Sequence, residues 1–183
     1  MKTLLQAFDA SITMHARALH LPALCCLMPD LRTEKNHAIH EINNRLFFRL
    51  FQVANTLHTK GTQAIEEFGV TTQQWSVLGA LSRPQAADGM SINDLSRFLL
   101  VSRQNLTGLL SRLERDGLIE RITSEDDRRS RKVTLSAAGK VLWDKLQDPI
   151  QSFYDRSLKD LSFDDRLAFI HYFTKLQTNM SKL

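Results

Sequence analysis

Cysteine is nearly absent from this sequence, and the two that occur are adjacent, Cys25 and Cys26. Neighbouring cysteines make a poor structural staple, and no second pair exists to build a disulfide framework or a thiolate metal site. A reducing, cytoplasmic setting is therefore expected. Glycine (7) and proline (4) are few for 183 residues, and the glycines stand singly, so a phosphate-cradling glycine loop has nothing to form from. Gly-x-Ser-x-Gly and His-Glu-x-x-His are missing too, which leaves the hydrolase elbow and the zinc-protease helix without candidates. No enzyme, cofactor or metal is expected. No apolar run reaches membrane-spanning length, and "LPALCCLMPDL" is interrupted by Pro22 and Pro29. The N-terminus also lacks the basic start, apolar core and small-residue cleavage site of a signal peptide.

What is present is helical patterning. The composition, 43% hydrophobic and 24% charged, is ordinary for a globular protein. The net charge of +4 permits an anionic partner without demanding one, so the placement of the cations decides. Leu4, Leu5, Phe8 and Ile12 fall on one helical stripe near the N-terminus. From Ile39 the period strengthens, through Ile42, Leu46, Leu50, Val53 and Leu57, while Phe47, Phe48 and Phe51 widen the stripe. A helix apolar on several sides packs among other helices, often those of a second subunit. Gly61 or the 69–71 region is expected to end it.

"TTQQWSVLGALSRP" predicts a helix capped by Thr71 or Thr72 and stopped before Pro84, and "QAADGM" reads as a loop. Ser91 and Asp94 set a capping box for the next helix. A further helix starts at Ser102 and ends at Gly117, a C-cap. "LIERIT" and "RKVTL" are the arms of a hairpin with a long charged tip. Ser136 caps the following helix, which meets Pro149 and there either kinks or breaks. Ser162 and Asp165 then open a terminal amphipathic helix bearing Phe163, Leu167, Ile170 and Phe173. The fold class expected is mainly α with a small β hairpin. A compact three-helix-plus-hairpin unit at 62–136 sits between helical flanks, 36–61 and 137–183, after an N-terminal helical extension at 1–35.

The helices at 91–100 and 102–116 are joined so tightly that they must cross steeply, as in a helix-turn-helix. Leu106, Leu109, Leu110 and Leu113 occupy one side of the second helix. The other side presents Ser102, Arg103, Gln104, Asn105, Thr107, Gly108, Ser111 and Arg112, with no acid before Glu114. Amides and guanidinium groups match base edges in a major groove, and hydroxyls match phosphates. A merely solvated face usually mixes Glu with Lys. A winged helix used only for protein contacts would likewise tolerate acids there. Gly108 costs about 1 kcal/mol inside a helix, and either close approach to DNA or plain backbone packing would explain it.

"LSRFLLVSRQNLTGLLSRLERDGLIER" followed by "DDRRSRKVTLSAAG" resembles the winged helix-turn-helix of the MarR family of bacterial transcription regulators. The family's wing signature is met by Asp127, Arg129, Val133, Leu135, Ser136 and Gly139, with Ser136 in place of the usual Thr. The resemblance covers about 38–180. It implies a homodimer whose terminal helices, 36–61 and 137–183, interlock and whose winged units reach successive major grooves of a pseudo-palindromic operator. It gives Arg129 the minor-groove role, Asp127 the task of orienting it, and Arg112 a phosphate contact. Arg128, Arg131 and Lys132 can hold flanking phosphates. Gly108 stands where the family often carries Arg or another long polar residue. Repression is the family's commoner mode.

Many members release DNA when a small aromatic or carboxylate ligand binds. "NRLFFRLFQVANTLHTKG" and "TTQQWSVLGALSRP" resemble members controlling aromatic-acid catabolism. That implies an aromatic carboxylate or its CoA thioester as effector, with Phe47, Phe48, Phe51 and Trp75 flooring a pocket and His40, Asn44 or Arg45 holding the carboxylate. Two alternatives have thinner support. Peroxide-sensing members use a Cys where this chain has Phe47, and nothing basic flanks Cys25 and Cys26 to lower a thiol pKa. His37, His40 and Glu41 share a helical face that His171 would have to join to make a metal site.

Overall fold

The structure, a computed structural model, describes residues 31–123 and 131–183. The N-terminal stripe, Cys25 and Cys26, and the wing-tip residues Asp127, Arg128 and Arg129 lie outside the described residues. The chain divides into two compact units after Phe51. The first contributes the start of α1, which spans Leu31–Ala64. Along it Ile39, Ile42, Leu46, Phe47, Phe48 and Phe51 are exposed. His37 pairs with Glu41 at 3.9 Å, and His40 Nε2 lies 3.2 Å from Asn44 Nδ2.

The second unit, Gln52–Leu183, holds the core. Its part of α1 runs through Gly61 and ends at Ala64; a Cβ at Gly61 would come within 2.5 Å of the Thr72 methyl, so that close contact requires glycine. After a short 3-10 turn at Glu66–Phe68, Gly69 takes a left-handed φ of 70° and turns the chain. α2, Thr72–Leu81, starts on a full capping box: Thr71 Oγ1 accepts the Gln74 N–H, and Gln74 Oε1 accepts the Thr71 N–H. It buries Trp75, Val77, Leu78, Ala80 and Leu81. The chain leaves it through Arg83, extended as a residue before proline must be.

β1 (Met90–Ser91), α3 (Ile92–Leu99), α4 (Arg103–Arg115), β2 (Ile119–Thr123) and β3 (Arg131–Leu135) follow. The hairpin arms form as expected, but the sheet has three strands, in the order β1–β3–β2, all antiparallel. Met90, expected in a loop, pairs with Val133, and Ser91 pairs with Lys132. At Ser91 the cap is made as expected by its Oγ on the Asp94 N–H, while the Asp94 carboxylate takes the Ser91 hydroxyl at 2.6 Å. That hydrogen bond, opposed by desolvation and helped by the charges of Arg97 and Lys132, holds the Asp94 carboxyl below its ordinary value.

α5, Ala137–Ser157, passes through Pro149 unbroken, and α6, Phe163–Met180, opens on the full Ser162–Asp165 capping box. α2 approaches α5 closely at Gly79, where a Cβ would meet the Trp143 ring at 2.9 Å. Leu78, Leu95, Leu106, Leu110, Leu113 and Leu146, from α2 to α5, are fully buried. α6 buries none of its residues. No helix among the described residues is long and apolar enough to cross a membrane.

Candidate nucleic-acid interface

α4 is built on a leucine seam. Leu106, Leu109, Leu110 and Leu113 recur at helical spacing and are all buried, which fixes the helix's rotation about its axis. Ser102 caps it by accepting the Asn105 N–H at 3.2 Å. At the other end Gly117, at φ 72°, donates to the Glu114 carbonyl, and Leu118 donates to the Leu113 carbonyl. That pair of bonds is a Schellman stop. Helix length and rotation are thus set by the fold, and what remains outside is the polar face.

All eight residues expected on that face, Ser102, Arg103, Gln104, Asn105, Thr107, Gly108, Ser111 and Arg112, are exposed. Thr107 and Ser111 donate their hydroxyls back to the carbonyls of Arg103 and Thr107, at 2.7 and 3.0 Å. Their oxygens can still accept from a base amino group. The first acid of the helix, Glu114, is taken up by Arg121 of β2, whose Nε lies 3.1 and 3.0 Å from the two carboxylate oxygens. Asp116 is paired with Arg115. The face is therefore cationic and amide-bearing, and the nearby acids are held by cations.

Gly108 settles one question. A Cβ built on it meets nothing within 4 Å, so packing inside the chain does not require glycine there. Gly108→Ala should raise stability by about 0.5–1 kcal/mol, the helix-propensity difference. If the helix enters a groove at this point, the same substitution weakens operator binding. Thermal melting and an affinity measurement on one preparation test both signs.

The wing's base is equally fixed. Ile119 pairs with Leu135, and Thr123 with Arg131, so the register closes at the residues flanking 124–130. Lys132 is half-buried, beside Asp94 and opposite Ile122, one pair from the Thr123–Arg131 pair that closes the described ladder. Of the residues expected around an effector, Trp75 is in the core, its ring 6.3 Å from Phe153 and 5.8 Å from Tyr154. His40, Asn44, Arg45, Phe47, Phe48 and Phe51 lie exposed on the first unit. Sequence reading missed an open surface pocket of about 430 Å³ in the second unit, lined by Lys60, Gln63, Ala64, Phe153, Arg156 and Ser157. Among the described residues no three His, Cys, Asp or Glu groups cluster as metal ligands.

A tightly turned helix pair, a second helix whose exposed polar face carries no acid before Glu114, and antiparallel wing arms define a winged helix-turn-helix DNA-binding protein. The MarR family profile matches residues 68–130. The chain is 54% identical over 144 residues to the transcriptional activatory protein BadR of Rhodopseudomonas palustris, an alignment covering 78% of this chain and 82% of the other. It is 27% identical over 113 residues to the homoprotocatechuate degradative operon repressor of Escherichia coli, covering 62% and 74%. The crystal structure of the Staphylococcus aureus MepR–DNA complex superposes with a TM-score of 0.64 at 25% identity, over 73% of this chain and 94% of that one. The chain belongs to the MarR family: it is a DNA-binding transcriptional regulator and not an enzyme.

Proposed function

We propose that the protein works in the cytoplasm as a homodimer that binds a pseudo-palindromic operator and leaves it when an aromatic carboxylate or its CoA thioester binds. The observation that carries the DNA half is the acid-free exposed face of α4, with the wing arms in register beside it. The dimer is supported by apolar surface that one chain leaves uncovered: Phe47, Phe48 and Phe51 of α1, and Phe163, Ile170 and Phe173 of α6. Faces of that kind suit a partner helix better than water. On this reading α1 from residue 36 and α5–α6 form the dimerisation region, and 62–136 the DNA-binding unit.

The aromatic effector is supported by the name of the E. coli relative, a repressor of a homoprotocatechuate operon, and by the chemistry of the surface pocket. Lys60 and Arg156 give its lining two cations and no acid, and the Phe153 ring offers an apolar wall. Phe153 is backed by Trp75 and Tyr154, whose hydroxyl pKa is raised by partial burial. Carboxylate against guanidinium and ring against ring is the match. His40, Asn44 and Arg45 remain a second carboxylate-holding set on the first unit.

Titrating hydroxybenzoates, hydroxycinnamates and their CoA thioesters into a protein–operator complex tests the reading. Arg156→Ala should keep operator affinity and raise the half-releasing concentration by about tenfold or more, the loss expected for a charged hydrogen bond. An unchanged release curve removes the pocket from the account. Release by none of these compounds removes the effector class.

Repression is the mode first expected. The R. palustris relative is named an activatory protein, and its 54% identity favours activation as a second reading. A reporter fused to the bound promoter, with and without the regulator gene, separates the two by the sign of the change.

A further inference from the structure

The turn between α3 and α4 carries an apolar side chain that the fold neither covers nor requires. Leu100 is 68% exposed and sits at φ 55°, the only non-glycine residue with positive φ among the described residues. A left-handed backbone is energetically costly for an L-residue. Glycine escapes that cost, and Asn tolerates the conformation better than Leu. The backbone geometry is imposed by Ser96. Its carbonyl accepts the N–H groups of Leu100 and Val101, and its hydroxyl donates to the Val101 carbonyl at 2.6 Å. None of those bonds involves the Leu100 side chain. A leucine held in strain and left in water calls for a contact outside the chain.

Its position says which. Leu100 and Val101, itself 37% exposed, immediately precede Ser102, the N-cap of α4. The N-terminal residues of a recognition helix are those that reach base edges. The apolar feature on the edges of the major groove is the thymine C5-methyl group. Nearby Phe98 is accounted for differently, since the Arg83 guanidinium lies 4.4 Å from its ring centroid.

We propose that Leu100, with Val101, reads thymine methyl groups in each operator half-site and is a specificity-determining residue of this regulator. The inference rests on α4 as the recognition helix. Continuity with that surface selects DNA as the occupant over a protein partner.

The test uses the full-length protein and a duplex it selects from a random-sequence library, with deoxyuridine replacing thymidine one position at a time. Wild type should lose about fourfold in affinity at one or two thymines per half-site, the fold-change of burying one methyl-sized group. Leu100→Gly should bind the thymine duplex about tenfold or more weakly, ignore uracil at those positions, and melt no lower than wild type. Leu100→Asn, which also tolerates the turn, should behave alike, while Gln104→Ala should keep the uracil sensitivity. Equal uracil penalties in Leu100→Gly and wild type overturn the proposal, as does an insensitive wild type. Undiminished DNA affinity of Leu100→Gly, with or without a lost transcriptional response, also overturns it, and with a lost response it assigns the side chain to a protein partner. If wild type selects no duplex, the recognition-helix reading fails first, a result distinguishable from these.

Discussion

Gly139→Ala should cost about 3 kcal/mol and lower the melting temperature by about 10 °C. Gly139 sits in the first turn of α5, where a Cβ would fall 1.9 Å from the Leu118 carbonyl oxygen and 3.0 Å from its carbon. Both are backbone atoms, so no rotamer change relieves the overlap. Nor can either side drift. Ser136 donates its hydroxyl to the Gly117 carbonyl at 2.6 Å, accepts the Gly139 N–H at 3.0 Å, and donates its own N–H to Leu118 at 3.2 Å. The end of α4, the start of β2 and the start of α5 are thus tied at one knot, and an alanine forces it open. Gly108→Ala makes the same chemical change with the opposite expected sign, because nothing lies within 4 Å of its Cβ. A Gly139→Ala protein as stable as wild type would show that the wing's base is not packed as described.

Arg129→Ala should weaken operator binding by about tenfold to a hundredfold at physiological salt and leave the melting temperature almost unchanged. That is the range of about 1–3 kcal/mol found for one good recognition contact. The narrow minor groove concentrates negative potential, and an inserted guanidinium meets it with a planar array of donors. Arg129 itself lies outside the described residues, so the role proposed for it rests on its match to the family's wing signature. The described strands β2 and β3 are paired as far as Thr123 and Arg131, the residues that flank 124–130. Arg129→Lys should recover part of the loss, since it keeps the charge without the planar fork. Unchanged affinity in Arg129→Ala would remove the minor-groove assignment.

The recognition unit was legible because its signals are local. Leucines at helical spacing, Ser102 before them and Gly117 after them specify α4 within sixteen residues, 102–117, and its polar face is what remains. The Ser162–Asp165 capping box acts over three residues, Thr71 was one of two candidate caps for α2, and the hairpin arms show their own alternation. What escaped depends on distant partners. β1 has two residues, too few to show alternation, and exists because Val133 and Lys132 pair with it. Lys60 and Arg156 share a pocket only once α1 and α5 have folded. The positive φ at Leu100 had no signal, because that conformation is read from Gly or Asn. At Pro149 a kink and a break were equally consistent with the pattern, and the helix runs through. The apolar stripes of α1 and α6 were readable as stripes, while what covers them is a property of the assembly.

Binding of DNA through α4 in the major groove, with the wing beside it, is the feature on which the proposed function rests. Its most direct test is the salt dependence of full-length protein binding to its footprinted promoter fragment. Log affinity should fall linearly with log salt, at about 0.9 per phosphate neutralised, with protection in two major-groove segments about 10 base pairs apart. Affinity independent of salt, or equal for the promoter fragment and for random duplex, would contradict it.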